Sequence, residues 1–196
     1  MELIPLEWIE HKPIATEGIP RILQIMREIY PEIDYSEIEK KAQKGLIPNP
    51  FKLEESKEEW KKALAGLLHL ENALFFRAVA LQLLRLKEDK EASEIIKNSV
   101  SNAFGAIIKS FNVLREIEKT RQIASTGLNL VGDIVLIAKI MRLKEEIRKV
   151  ILTLLAILEK IEEPKEKIRI GNGIVASLGE KKNYQEALAI SLYLEQ

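Results

Sequence analysis

TGLNLVGDIVLIAKIMRLKEEIRKVILTLLAILEKIEE, residues 126–163, is the stretch that decides the fold. Apolar residues recur along it in steps of three, four or seven, at Leu130, Ile137, Ile140, Ile147, Ile151, Leu154, Leu158 and Ile161. Because an α-helix makes one turn in about 3.6 residues, this spacing places them on one stripe of a helix packed along its length. We therefore predict one long helix; because ~36 residues would span roughly 54 Å, long for a domain of this size, we expect a break in it. Its weak point is Gly132–Asp133, where Asp133 could cap a helix that starts later.

Two further segments show helical periodicity. The first, 56–86, opens on the capping-box pattern Ser56-x-x-Glu59. Its seam is Trp60, Leu64, Leu67, Glu71, Leu74, Ala78, Leu81 and Arg85. The second, about 91–122, has its stripe at Ile96, Val100, Ala103, Phe104, Ile107, Phe111, Leu114 and Ile117, and Ser125-Thr126-Gly127 would form the turn after it. Three long helices joined by short turns predict an all-α, antiparallel (up-down) bundle.

Shorter elements are expected on either side of this core. Residues 1–15 indicate an extended arm, and a short helix is expected from Pro20 to Tyr30. The pattern Ser36-x-x-Glu39 predicts a second short helix that ends at Gly45, and the prolines of 46–53 indicate a non-helical linker. We predict a single domain, 1–196, with an N-terminal part (1–55), the three-helix core (56–163) and a C-terminal appendage (164–196).

The appendage leaves one ambiguity. Residues 168–178 could form a glycine-weakened helix, which we prefer, or a small hairpin around Gly171-Asn172-Gly173, before a last helix over Tyr184–Leu194 with Asn183 at its N-cap. Residues 170–195 resemble one tetratricopeptide repeat through Gly171-Asn172, Tyr184 and Ala187. Gly171 and Ala187 are farther apart than that repeat allows, and a repeat fold needs about three copies where this chain has one. We therefore assign the chain to no family.

Composition excludes several classes of protein. The 30 basic and 30 acidic residues give a formal net charge of zero, so no global field attracts nucleic acid or an anionic membrane. With no cysteine, disulfides and thiolate metal sites are excluded. The N-terminus lacks the pattern of a signal peptide, and the best apolar run is interrupted by Asn129, Asp133 and Lys139. We expect a cytoplasmic protein without membrane insertion, and the excess of Glu and Lys suggests a thermophilic source.

Two carboxylates interrupt the predicted apolar seams, Glu71 and Asp133. A buried carboxylate must be paired, hydrogen-bonded, protonated or bound to a metal. The nearest partner types in the sequence are His69, Arg77 and Lys139. The simplest interpretation is a polar pair that fixes the register of helices. The alternative is a bundle that encloses a small ligand against Glu71, Asp133, His69 and Arg77.

Motifs for metal binding and catalysis are missing from the sequence. A dinuclear carboxylate site needs Glu-x-x-His motifs, and none occurs; His11 and His69 are the only histidines. There is no Gly-x-Ser-x-Gly elbow, no phosphate-binding Gly-Lys-Ser/Thr loop, and Gly171-x-Gly173 lacks the later glycine of a dinucleotide fingerprint. We predict no metal and no cofactor, and we favour a non-catalytic protein.

A mild basic bias marks the region 101–150. The candidates for nucleic-acid contact are Arg115, Lys119, Arg121, Lys139, Arg142, Arg148 and Lys149. Interspersed glutamates such as Glu145, four residues before Lys149, are also typical of a solvated helix face. Base-stacking aromatic residues are missing from this region, so nucleic-acid binding is the weaker hypothesis.

Apolar residues exceed what a three-helix core needs. Segment 56–86 and the first half of 126–163 look apolar on more than one face. Such a surplus favours a helical protein–protein interaction or assembly subunit, with a homodimer through the long-helix face as one form. The alternatives are the accessory subunit that contacts nucleic acid and the ligand-enclosing bundle.

Overall fold

The protein is described by a computed structural model that covers residues 13–195, with side chains from residue 18 onward. Its α-helices are α1 (Pro13–Ile29), α2 (Ser36–Gln43), α3 (Pro50–Glu54), α4 (Glu59–Leu83), α5 (Lys90–Glu116), α6 (Arg121–Ala124), α7 (Val131–Ile140), α8 (Lys144–Glu159), α9 (Pro164–Glu180) and α10 (Tyr184–Leu194). Short 3₁₀ segments follow α4, precede α6 and precede α7. No strand occurs within residues 13–195, so the predicted all-α class is confirmed.

The described chain divides into two compact units. The first consists of residues 13–75 and 105–124, and the second of residues 76–104 and 125–195. Helices α4 and α5 contribute residues to each unit. The single domain that the sequence predicts, with divisions after residues 55 and 163, stays a prediction.

In the first unit, aromatic side chains join the short N-terminal helices to α4. The Tyr30 hydroxyl donates a hydrogen bond to Glu59 Oε1 at 2.8 Å, and burial together with this carboxylate raises the pKa of Tyr30. The buried Tyr35 ring meets Trp60 edge to face, with 6.0 Å between ring centroids. Ile22 on α1 is also buried.

Several predicted boundaries in this unit are wrong. Helix α1 begins at Pro13, so residues 13–15 are helical and Pro20 lies inside the helix; the rest of the predicted arm lies outside the described residues. The predicted linker contains α3, because Pro50 occupies its first turn and the Asn49 side chain accepts the Phe51 N–H at 2.9 Å.

Neither predicted capping box forms. Tyr35 is the N-cap of α2, while the Asp34 carboxylate accepts hydrogen bonds from the Ser36 N–H and hydroxyl. These bonds hold the pKa of Asp34 below its ordinary value. Ser56 Oγ accepts the Glu58 N–H at 3.2 Å, and α4 starts at Glu59 itself. The Asp34 and Ser56 side chains each bond to a residue two positions later. Such local hydrogen bonds compete with the capping box and replace it at both helix starts.

The predicted stripe of α5 is buried as expected. Ile96, Ala103, Ile107 and Leu114 are fully inaccessible to solvent. In the first unit, a Cβ atom at Gly66 of α4 would come within 2.6 Å of the Leu114 side chain, so the two helices pack closely there.

The predicted seam of α4 holds only in its first half. Leu64 and Leu67 are buried, but farther along the helix the buried positions are Ala73, Phe76 and Ala80. Leu74 and Ala78 of the predicted seam are half-buried, and Leu81 is exposed. The seam drifts because a strict alternation of steps of three and four residues has a period of 3.5, whereas a straight helix has about 3.6.

The connection after α5 differs from the predicted turn. Helix α5 ends at Glu116, and Ile117 adopts an extended conformation (φ −99°, ψ 121°). Residues 118–130 then form two 3₁₀ segments with α6 between them. The predicted helix to residue 122 and the predicted turn at 125–127 are therefore both wrong.

The stretch that we predicted as one long helix is two helices. Arg142 lies between α7 and α8 in the left-handed region (φ 57°), and the Leu143 N–H bonds the Ala138 carbonyl at 2.8 Å, which closes a Schellman-type end. The break is therefore at residues 141–143, whereas Gly132–Asp133 lies inside α7. The up-down arrangement of three long segments stays a prediction.

The C-terminal appendage is a helix pair, as preferred over the hairpin. Pro164 occupies the first turn of α9, where its missing N–H needs no partner. Lys182 (φ 59°) ends α9 in the same way as Arg142 ends α7, with the Asn183 N–H bonding the Leu178 carbonyl at 2.9 Å. A Cβ at Gly171 would come within 2.5 Å of Leu194, so α9 and α10 pack closely.

Within residues 13–195, two segments are long and apolar enough to cross a membrane, by length and mean hydropathy. They are Glu59–Leu86 and Glu118–Ile140, and 56% of the apolar window in each is buried within the structure. Core helices of soluble proteins meet the same criterion. The interrupting residues noted in the sequence therefore do not remove these candidates, and the absence of membrane insertion stays a prediction.

Replacing Arg142 by glycine is expected to raise the free energy of unfolding by up to ~1 kcal/mol. A left-handed conformation costs an L-residue ~1–2 kcal/mol, and the greater freedom of glycine in the unfolded chain takes back about half of that. Urea denaturation monitored by circular dichroism measures the change. Lys97→Gly, on the exposed side of α5, is the control and should lower the same quantity by about 1 kcal/mol. Equal losses in the two variants would contradict the assignment.

Candidate functional site

The most buried carboxylate in the second unit belongs to Asp133. Its side chain is only 8% exposed, and its two oxygens face two cations. Arg77 Nε lies 2.5 Å from Oδ2, and Lys181 Nζ lies 3.0 Å from Oδ1. Asp133 also sits in the first turn of α7, where the helix dipole favours a negative charge. The carboxylate is thus compensated entirely by protein groups from α4 and from the turn between α9 and α10.

Directly beside this carboxylate, α7 approaches α9 at Gly132. Ser177 Oγ accepts the Gly132 N–H at 3.0 Å and donates to the Asn129 carbonyl at 2.7 Å. Asn183 Nδ2 donates to the Gly132 carbonyl at 2.9 Å, and the Asn183 side chain makes no cap on α10. We call this set of residues the polar junction: Arg77, Gly132, Asp133, Ser177, Lys181 and Asn183.

A second ion pair connects α7 with α10. Lys139 Nζ lies 2.5 Å from Glu186 Oε2, and the Glu186 side chain is 11% exposed. Asn183 bonds to Gly132 near the start of α7, and Glu186 pairs with Lys139 near its end. The beginning of α10 is therefore attached to both ends of α7. The position of α10 in the second unit is therefore fixed by polar contacts as well as by the buried Ala187 and Ile190.

Glu71 lies in the first unit, where it pairs with α1. Arg21 Nη2 is 2.6 Å from Glu71 Oε2. A Cβ at Gly18 would come within 2.2 Å of the Glu71 carboxyl carbon, so the acid lies flat against α1. The second predicted seam carboxylate is thus also paired.

His69, in the same unit, is almost fully buried and hydrogen-bonds through Nε2 to the carboxylate of Glu54. Its ring meets Phe51 edge to face at 5.0 Å, and Lys109 Nζ lies 3.8 Å from the other Glu54 oxygen. Burial lowers the pKa of His69; the Glu54 carboxylate opposes this, and Lys109 adds to it. The net direction is downward, so the neutral ring is the favoured form.

Of the predicted polar cluster, only Arg77 and Asp133 come together. Glu71 and His69 lie in the first unit with partners of their own. Those partners, Arg21 and Glu54, were missed, as was Lys181, because ion pairs between residues distant in sequence leave no local pattern. Both seam acids, Glu71 and Asp133, are paired with cations of the protein. An uncompensated buried carboxylate, the reason for expecting a ligand, is therefore not present at either position. Among residues 13–195, no group of three or more His, Asp or Glu could hold a metal ion.

The predicted basic residues divide between the units. In the first unit, Lys119 Nζ lies over the Tyr30 ring at 4.3 Å, and Arg121 Nε donates to the carbonyl of Arg115 at 3.3 Å. The second unit contains Lys139, Arg142, Arg148 and Lys149, of which Lys139 is neutralised by Glu186. Nucleic-acid binding stays a prediction, although Lys119, Arg121 and Lys139 already contact groups of the protein.

The apolar surplus that the sequence indicated is only partly exposed: Leu81 and Leu86 of segment 56–86 are open to solvent, but the first half of 126–163 is covered. Seven of the ten residues of α7 are buried, among them Ile134, Val135 and Ala138, so this half of the predicted long-helix face is not available to a partner. The outer side of α10 is apolar and open to solvent: Tyr184 is 65%, Leu188 57% and Leu192 51% exposed. We call these three residues the α10 face.

The first unit has a smaller apolar feature. A groove of about 370 Å³ lies between α2, the following loop and α4. Its apolar lining includes Ile38, Leu46, Leu53, Trp60 and Leu64. Leu46 at its edge is half exposed. Because Lys41 and Lys61 at its rim already pair with Glu37 and Glu58, this groove offers less charge for recognition than the surroundings of the α10 face.

Comparison with protein-family models, with curated proteins and with solved structures finds no match for this chain.

Gly132→Ala is expected to lower the free energy of unfolding by about 1–3 kcal/mol. Its Cβ would lie 2.0 Å from the Ser177 carbonyl oxygen, which is backbone and must move with α9. Thermal and urea denaturation measure the loss. Gly173→Ala in α9 is the matched control, because a Cβ there meets nothing within 4 Å, and it should stabilise by ~0.5–1 kcal/mol. A neutral Gly132→Ala variant would show that α7 and α9 are not in tight contact.

The buried His69 predicts a dependence of stability on pH. Its pKa is lowered in the folded state, so the unfolded chain binds the proton more readily. The contribution of His69 to the free energy of unfolding is fully present above the pKa of the unfolded state, ~6.5, and decreases as the pH falls below that value. We therefore expect the stability difference between the wild type and His69→Gln to narrow from pH 7.5 to pH 5.5, measured by urea denaturation. A difference that widens would mean that Glu54 outweighs burial.

Proposed function

We propose that the protein is a non-catalytic helical subunit that acts by protein–protein contact, and that the α10 face is its contact surface. The observation that carries this proposal is the exposure of Tyr184, Leu188 and Leu192 on one side of a helix whose other side is buried. Full burial of such a side chain contributes ~1.5–3 kcal/mol, so covering all three is a substantial driving force.

The spacing of these residues matches a known mode of recognition. Positions i, i+4 and i+8 lie on one side of a helix, and amphipathic helices bind apolar grooves or other helices through anchors at this spacing. Within the second unit, the inner side of α10 packs on α9 and also contacts α8, while α9 packs on α7. Because the other side of α10 is already covered by these helices, its exposed apolar side favours contact with a further layer of protein.

The rigidity of α10 supports the same conclusion. Glu186 and Asn183 fix the helix from its inner side through Lys139 and Gly132. A surface that is already held in its binding geometry loses little conformational freedom on association, which increases affinity. The contact region is therefore preorganised.

The two other functions expected from the sequence, nucleic-acid binding and enclosure of a small ligand, have less support from the structure. Of the residues in the nucleic-acid hypothesis, Lys139 forms an ion pair with Glu186, and in the ligand hypothesis both acids, Glu71 and Asp133, are ion-paired. Both stay predictions, as do the cytoplasmic location and the thermophilic source.

A photoreactive benzophenone amino acid at position 188 tests the proposal. Introduced into the full chain in cells of its source, it should form covalent adducts with protein on illumination, because residue 188 is at the centre of the contact. The same label at exposed Glu159 on α8 is the control and should give few adducts. Adding Tyr184→Ser and Leu192→Ser should suppress the adducts. Equal labelling from positions 188 and 159, or none from either, would contradict the proposed surface.

A further inference from the structure

We infer that the α10 face binds a second copy of this chain, with the two α10 helices antiparallel about a two-fold axis at Leu188. This inference rests on the proposed function and names the partner of the same surface. Its first support is the symmetry of the α10 face. Tyr184 and Leu192 are each four residues from Leu188 and are similarly exposed. A two-fold axis at the centre therefore places Leu188 against its own copy and Tyr184 against Leu192 of the partner subunit, as an isologous contact requires.

The charges at the two ends of α10 provide independent support. Lys181 and Lys182 precede the helix, and Glu195 follows it. Glu195 is eleven residues after Tyr184, and at about 100° per residue this is roughly three full turns and a further 20°. Glu195 therefore lies on the same side of the helix as the α10 face. Within residues 13–195, neither Lys182 nor Glu195 forms an ion pair, and both are exposed.

The two-fold axis brings these opposite charges together. Glu195 lies seven residues after Leu188 and Lys181 seven residues before it, so antiparallel pairing sets each acidic end beside the basic turn of the other chain. Lys181 already contacts Asp133 at 3.0 Å, which leaves Lys182 as the available cation. A parallel pair would place lysine beside lysine and glutamate beside glutamate, and such like-charge contacts disfavour that orientation.

The size of the contact predicts the strength of the dimer. A pair of eleven-residue helices with three apolar anchors each is smaller than the ~1,600 Å² of a standard stable interface. The dimer should therefore dissociate on dilution, and its end-to-end ion pairs should make it weaker at high salt.

The chain contains no cysteine, so one introduced thiol reports on one position. With a short bismaleimide, Leu188→Cys should form crosslinked dimers efficiently, because the two-fold axis sets residue 188 beside itself. Tyr184→Cys and Leu192→Cys should each crosslink poorly alone, but efficiently with one another when differently tagged chains are mixed. Efficient crosslinking of Tyr184→Cys with itself would indicate a parallel pair and overturn the inference.

Oligomeric state under the same conditions provides the second measurement. Sedimentation equilibrium of the wild-type chain should show a monomer–dimer equilibrium, and Leu188→Glu should abolish the dimer by placing two carboxylates on the axis. Leu152→Glu is the matched control, because Leu152 on α8 is equally exposed (55%) and should leave the dimer intact. Circular dichroism checks that both variants remain folded.

A charge reversal distinguishes this dimer from nonspecific apolar association. Lys182→Glu and Glu195→Lys should each weaken the dimer several-fold, and the double variant should restore it, because the pairs re-form with opposite signs. If the double variant stays as weak as the single ones, the antiparallel register is wrong.

The outcomes separate this inference from the proposed function. A chain that is monomeric at every concentration, yet gives adducts of another mass from residue 188 in cells, overturns self-association and leaves the contact surface in place. A monomer without any adduct from residue 188 overturns both.

Discussion

The second unit depends on one constraint, the burial of the Asp133 carboxylate at the point where α7 meets α9. A carboxylate removed from water destabilises a fold by several kcal/mol unless cations or donors replace the lost hydration. Arg77 and Lys181 supply that replacement, so α4 and the α9–α10 turn must both be in place for α7 to be stable. Gly132 allows the helices to approach closely enough for Ser177 and Asn183 to bond its peptide groups.

The first unit follows the same physical logic on a smaller scale. Glu54 stands between the buried ring of His69 and the ammonium of Lys109, while Glu71 lies against α1 beside Arg21. In each unit, acids on otherwise apolar helices are neutralised by cations from elements far away in the sequence. Such pairs define which helices pack together, because a wrong pairing would leave a charge buried without compensation.

The sequence was informative where its apolar pattern was periodic, and misleading where the structure depends on partners that are distant in the chain. The stripe of α5 from Ile96 to Leu114 was readable because repeated spacing is a local property of the chain. The break at Arg142 was not, because a non-glycine residue in the left-handed region is held there by its surroundings and gives no compositional signal. The sequence suggests Gly132 as the weak point of a helix, whereas its close contact with Ser177 depends on a residue 45 positions later, which no local pattern reveals.

Candidate sites show the same contrast. That Glu71 and Asp133 would be compensated followed from electrostatics alone, but the identities of Arg21 and Lys181 did not. The α10 face was missed because its three residues, taken from the sequence, look like the buried side of a short amphipathic helix. Only the burial of Ala187 and Ile190 shows which side is already used.

The bonds from Ser177 and Asn183 to Gly132 have a consequence for biosynthesis. Helix α7 leaves the ribosome well before the residues that complete its hydrogen bonds and neutralise Asp133. Until the chain has been synthesised beyond Asn183, the apolar sides of α7 are not fully buried. Exposed apolar surface of this kind on a nascent chain is what chaperones bind. The contacts that stabilise α7 in the second unit therefore require α9 and the residues that lead into α10.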